Sequence, residues 1–308
     1  MMNLNEAAGR MCPLRYRYGP NAIAKASTKT AHTLYVVGGL YGNLQALDVI
    51  EQMASQETGP VTLCFNGDFN WFNVDSDGFV EVNRRVRAHD AILGNVEAEL
   101  SVEGDAAGCG CAYPETVDAG VVERSNRIHA RLKAVANGHP SVQAYLATLP
   151  MFARYRIADC HVGVVHGDAE SLAGWRFDAA PLADPSNDAW LCSMFDTAQV
   201  DAFASTHTCQ PALKTLLNRG SMGVVVNNGA AGMPNFPGRT DGLITRIGIE
   251  PSPHTPIHGA RCKSVFVDAL AVPYDHQRWC ASFLRNWPTG SDAHTSYFSR
   301  IDPTKVHR

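Results

Sequence analysis

The stretch 61–77, VTLCFNGDFNWFNVDSD, constrains the chain more than any other. Val61, Leu63 and Phe65 recur at the spacing of a strand, and the run stops at Asn66-Gly67-Asp68. A strand that ends this way presents a carboxylate at the carboxyl edge of a sheet, where open α/β sheets assemble their sites. Gly67 permits a sharp turn, leaving Asp68 free to face a ligand or a metal. One Gly-Asp pair is an ordinary turn signal. Its weight comes from recurrence, because four other strand ends carry polar groups in the same way.

Taken in order, 33–37 (TLYVV) reads as a strand stopping at Gly38-Gly39, and 44–53 carries Leu44, Leu47 and Ile50 at helical spacing. Strand, glycine turn and helix open a βαβ unit. The turn Gly38-Gly39-Leu40-Tyr41-Gly42 lacks the G-x-G-x-x-G spacing of a dinucleotide fingerprint. Residues 79–89 read as a helix and 91–93 as a short strand ending in Gly94-Asn95. The segment 101–113 reads as a loop with a flexible Cys109-Gly110-Cys111 pair near the site mouth. Helices follow over 118–136, with Arg124, Arg127 and His129 on a solvated face, and over 141–149. Beyond Pro150 strands dominate: 153–157, 160–165 closing on His166-Gly167-Asp168, 200–205 closing on Thr206-His207, 223–226 closing on Asn227-Asn228-Gly229, then 243–249 and 265–271. Helices crowd the first half and strands the second, so two sheets packed face to face with helices outside are expected.

Residues 1–30, broken by Pro13, Gly19 and Pro20, read as an extended surface leader. The main domain spans 31–273, with 101–150 inserted. In 274–308 a helix bearing Trp279, Phe283 and Trp287 packs on the same domain, and a Pro/Gly/Ser-marked extension follows. Lys and Arg (26) are outnumbered by Asp and Glu (30) and form no dense cluster, so no nucleic-acid surface is expected. No apolar run reaches the ~18 residues of a membrane span, and a soluble, cytoplasmic chain is expected. Nine irregularly spaced cysteines favour reduced thiols.

The ordered strand ends resemble the calcineurin-like metallophosphoesterases, whose pattern is D-x-H-G-N, G-D, G-N-[HED], H-G-D and G-H-x-H. This chain carries Gly39-Leu40-Tyr41-Gly42-Asn43, Gly67-Asp68, Gly94-Asn95-Val96-Glu97, His166-Gly167-Asp168 and Thr206-His207-Thr208-Cys209. The run from Asn227 to Pro234 is similar to the family's glycine-rich strand exit. The resemblance implies a four-layer α/β/β/α sandwich of two mixed sheets flanked by helices, and a phosphoesterase acting on a small phosphorylated substrate. It also implies where this chain departs. The family's first metal would need ligands where Gly39, Tyr41 and Cys209 stand, whereas every ligand of the second is kept as Asp68, Asn95, His166 and His207. One divalent ion, Mn, Fe or Zn, is therefore expected. Asp68 and His207 are the expected catalytic residues, with Tyr41, Asn43 and Asn95 meeting substrate. Val96 replaces the family's general-acid histidine. The alternative is a non-catalytic protein that kept the fold as a ligand-binding or interaction module.

Overall fold

The computed structural model describes residues 8–303 apart from 105 and 219. In chain order the strands are β1 (Thr28–Thr30), β2 (Thr33–Val37), β3 (Val61–Phe65), β4 (Asp90–Ala91), β5 (Phe152–Ile157), β6 (Cys160–Val165), β7 (Ala202–Ser205), β8 (Pro211–Asn218), β9 (Ser221–Asn228), β10 (Gly242–Gly248), β11 (Pro256–Cys262) and β12 (Val265–Val272). They form two mixed six-stranded sheets, ordered β11-β12-β10-β2-β3-β4 and β1-β5-β6-β7-β9-β8.

The period of two along β2 explains the layers. Leu34 and Val36 join Val162, Val164, Ala204 and Val226 of the other sheet between the two sheets. Tyr35 and Val37 point the opposite way, into a cluster with Leu47 and Ile50 of helix Leu44–Ser55 and Phe283 of helix His276–Asn286. A strand buried on both faces reads as a continuous apolar run, as TLYVV does. Behind the second sheet, Val165, Phe203 and Val225 pack against Phe195 of helix Asp188–Ala198. Each such side chain contributes about 1.5–3 kcal/mol by leaving water. Four layers result, helix, sheet, sheet and helix, as the sequence implies.

Within the sheets, β2, β3 and β4 run parallel, as do β6, β7 and β9. Their carboxyl ends lead into 38–43, Asp68, Asn95, His166, His207 and 227–229, so the polar strand ends gather at one edge of the sandwich. Trp279 and Phe283, on the expected helix, and Trp287, just past its end, are buried in the first sheet's outer core.

Several expectations need correction. Residues 20–25 are not extended: helix Pro20–Lys25 starts at Pro20, whose fixed φ and missing N–H suit a first helical position. β1 follows and pairs parallel with β5, and Tyr16 and Ile23 are buried. The extension after 287 contains a further helix, Asp292–Ile301. β1, β8 and β11 went unread, and each is an edge strand. An edge strand is covered on fewer sides, so it tolerates the polar residues that blur a β-pattern. Among the described residues, no helix is long and apolar enough to cross a membrane. All nine cysteines are free thiols.

Candidate metal centre

Four polar atoms from four strand ends converge. Gly67 has φ +93°, and a Cβ there would stand 2.4 Å from the Gly94 Cα, so only glycine allows these two ends to approach. Asp68 follows at φ +54°, a left-handed conformation that Asp tolerates better than most residues. Asp68, His166 and His207 offer ligand atoms within 4.8 Å of one another. Asn95, the first residue of helix Asn95–Leu100, sets its Oδ1 3.0 Å from His166 Nε2.

The hydrogen bonds around these groups decide what the cluster accepts. His166 Nδ1 lies 2.8 Å from the Asn66 carbonyl and His207 Nε2 lies 3.1 Å from the Cys111 carbonyl. A carbonyl can only accept, so each outer nitrogen carries its hydrogen and each neutral ring turns a lone pair inward. The two inner nitrogens are 3.2 Å apart, and the Asp68 Oδ1 is 3.4 Å from His166 Nε2. The Asn95 Nδ2 donates to the Cys109 carbonyl at 2.8 Å, which keeps its oxygen inward as well. Four acceptors facing one another need a cation between them. The N/O donor set suits a borderline divalent metal, and the carbonyls behind the imidazoles orient them as such ligands require.

Protonation follows the same arrangement. Burial opposes charge on His166, but the Asp68 carboxylate and their hydrogen bond outweigh it and raise its pKa. Burial likewise opposes ionisation of Asp68, yet His166, His207 and the Val96 N–H hold its pKa below the usual value. His207 is lowered to about 3, by burial and then by charge on His166. The arrangement therefore favours a charged His166 beside an ionised Asp68.

Behind Asp68 lies Glu97, a buried residue whose role sequence reasoning missed. Its Oε2 accepts from the Asp68 N–H at 2.7 Å and the Gly94 N–H at 3.3 Å, and its Oε1 accepts from the Asn70 N–H at 3.1 Å. Burial, then the nearby Asp68, pushes its pKa up to about 7. The signal was a Glu three residues after Gly94, the spacing of a helix-start capping residue.

Gly39, Tyr41 and Cys209 also meet, beside this cluster. The Tyr41 hydroxyl is 2.7 Å from the Cys209 Sγ, and the Tyr41 ring packs edge-on to Phe72 at 5.5 Å between centroids. A Cβ on Gly39 would stand 2.9 Å from the Tyr41 Cζ, so the phenol ring crowds the space that a longer side chain at 39 would enter. Asn43, expected to meet substrate, does not reach the site. Its Oδ1 caps helix Leu44–Ser55 by accepting from the Ala46 N–H at 3.0 Å, and its Nδ2 donates to the Gly232 carbonyl at 2.9 Å.

A cavity of about 210 Å³ opens over Asp68, Asn95 and His207 and is also lined by Tyr41, Val96, Cys111 and Cys209. Three expectations change here. Cys109 and Cys111 are buried rather than on a flexible loop, and their carbonyls hold Asn95 and His207. His129 is buried and its Nε2 lies 3.1 Å from the Val96 carbonyl. Arg124 and Arg127 are not simply solvated: they bind Ser296 at 2.7 Å and Asp292 at 2.7 Å, tying helix Asp292–Ile301 down. That unread helix brings Ser296, Tyr297 and Arg300 to the cavity.

No family model and no curated protein matches the chain. Solved structures do. A metallophosphoesterase from Sphaerobacter thermophilus aligns over 88% of this chain and 99% of its own, with TM-score 0.52 and 16% identity. A hypothetical protein from Pyrococcus horikoshii OT3 aligns over 82% of this chain and 92% of its own, with TM-score 0.55 and 14% identity. At such identities the likeness is one of architecture: the chain has the metallophosphoesterase fold.

Proposed function

We propose that this chain hydrolyses phosphate esters with one divalent metal ion held by Asp68, Asn95, His166 and His207. The observation that carries the proposal is the ring of inward acceptors, with Asn95, His166 and His207 pinned from behind, beside the paired Tyr41 and Cys209, which stand where the family resemblance implies a first metal. Mn, Fe and Zn all suit this donor set. Bound there, the ion supplies a Lewis acid for a phosphoryl oxygen and lowers the pKa of a water.

The chain's own residues do the rest. Asp68 stays ionised, and the two imidazoles keep their lone pairs inward because their outer hydrogens are committed to carbonyls. Burial, then Cys209, keeps the Tyr41 phenol neutral far above its ordinary pKa. At rest its hydroxyl has a sulfur neighbour, and sulfur is a weak acceptor. A phosphoryl oxygen in the cavity competes well for the same hydrogen, which makes Tyr41 the group that orients substrate where the family would use a second ion. Val96 offers no proton to a leaving group, and that aid is typically worth ~10²–10⁴-fold. Esters with good leaving groups are therefore the expected substrates.

A second reading, a binding module without turnover, is favoured by that same Val96. Metal content measured beside turnover of an aryl phosphate and an aryl phosphodiester separates the two. Turnover that disappears with the metal and returns with it supports the enzyme. Metal and phosphate binding without turnover establishes the binding module.

A further inference from the structure

The cavity above the metal centre has a character of its own. Trp71, Tyr113, Trp175 and Tyr297 contribute aromatic surface, and Val121 adds apolar surface. Tyr113 packs on Trp175 at 5.8 Å and Trp175 meets the His207 ring edge-on at 5.3 Å, while Trp71 meets Tyr297 edge-on at 6.3 Å. Among the described lining residues only Asp68 and Arg300 carry a formal charge. The Arg300 guanidinium is fixed by oxygens, donating to the Pro234 carbonyl at 2.9 Å, the Cys209 carbonyl at 2.6 Å and Asn235 Oδ1 at 3.3 Å. No described carboxylate pairs with it, so its charge is available to an anion at the rim.

Resting on the phosphoesterase reading, we infer that the site takes a compact aromatic phosphate monoester, with its phosphoryl group between the metal ligands and Arg300 and its ring among the aromatic walls. Size argues for it: about 210 Å³ is below the roughly 300–1,000 Å³ of pockets that enclose drug-sized ligands. Charge argues for it as well. One fixed arginine and one metal match a single phosphoryl group, whereas di- and triphosphates would bring further negative charge to a cavity without further cations. The walls make the third argument, because aromatic side chains favour a flat apolar partner in edge or offset contact. A phosphopeptide would have to pass residues 111–113 and helix Asp292–Ile301, which both line the cavity.

The test is binding of phenylphosphonate, whose P–C bond resists hydrolysis, to the metal-loaded chain. Methylphosphonate and adenosine monophosphate serve as comparisons, and turnover of phenyl phosphate, adenosine monophosphate and a phosphopeptide is measured in parallel. Phenylphosphonate should bind about tenfold more tightly than methylphosphonate, in line with the worth of aromatic contacts plus apolar burial. Tyr297→Leu should remove most of that preference while leaving methylphosphonate affinity within about twofold. Arg300→Met should weaken both phosphonates by about tenfold or more, as loss of a charged hydrogen bond does. Metal content, unchanged in both variants, shows that the centre is intact. Adenosine monophosphate or phosphopeptide handled as well as the phenyl compounds overturns the substrate class and leaves hydrolysis standing. Phenylphosphonate binding without turnover of any ester upholds the pocket's ligand and sinks the hydrolysis reading. Equal affinity for the two phosphonates, or none for either, overturns the inference itself.

Discussion

The two halves of the site solve opposite problems at the same sheet edge. Asp68, Asn95, His166 and His207 face one another as acceptors, and the outer nitrogens of Asn95 and of the two histidines are already engaged. Tyr41 and Cys209, by contrast, satisfy each other at 2.7 Å, and the Cys209 thiol lies 3.4 Å from the His207 carbonyl. The first half turns acceptors toward one another; the second sets a hydroxyl against a weakly accepting sulfur. The phenol ring and the thiol occupy the space of that second half between them.

The largest expected effect tests the first half. His166→Ala and Asp68→Ala should each abolish metal binding, read as metal content after dialysis. His161→Ala, on β6 beside Asp201 and outside the cluster, should leave it unchanged. Equal losses in all three would dissolve the distinction between the halves.

Next comes conversion of the second half. Gly39→Asp, Tyr41→His and Cys209→His together should admit a second ion about 3.5–4 Å from the first, visible as two peaks in an anomalous map. Gly39→Asp alone should bind no more metal. It should cost roughly 1–3 kcal/mol in a denaturant titration, because φ there is +63° and its Cβ meets the Tyr41 ring. A triple variant that folds and still binds one ion would show that these three positions do not form the other subsite.

Protons should compete with the metal. The pKa of His166 is raised, so below it the ring is protonated and an ion must displace that proton. Affinity should therefore fall with acidification, by about tenfold per pH unit once His166 is fully protonated. Calorimetry in buffers of different ionisation enthalpy should show close to one proton released per ion at those pH values. A pH-independent affinity would remove His166 from the ligand set. The smallest effect belongs to Tyr41→Phe, which deletes the hydroxyl and keeps the packing. Turnover should drop by several-fold to about tenfold, the worth of one hydrogen bond, with metal content unchanged. An unaltered rate would leave Tyr41 as filler alone.

Much of this was legible because it is written locally. Strand β6 runs over 160–165 as read, since inward residues there cannot be polar. Asp68 and His166 were legible because Gly67 and Gly167 beside them end apolar runs, and His207 because it closes the strand read over 200–205. Glu97 and Asn43 were not, because their roles depend on which backbone atoms lie across the fold from them. Helix Asp292–Ile301 was hidden for another reason. Its stability comes partly from Arg124 and Arg127, more than 160 residues earlier, and no window of sequence contains both.

By itself, then, the amino-acid order determined the layered architecture and the order of the polar strand ends. Each of these follows from periodicity or from neighbours a few residues apart. Tertiary structure alone decided that the two imidazoles turn their lone pairs inward, that Tyr41 closes on Cys209 and that aromatic residues from 71, 113, 175 and 297 share one cavity. Hydrogen-bond direction and cavity shape depend on distances between atoms far apart in the chain, and those distances exist only once the two sheets have packed.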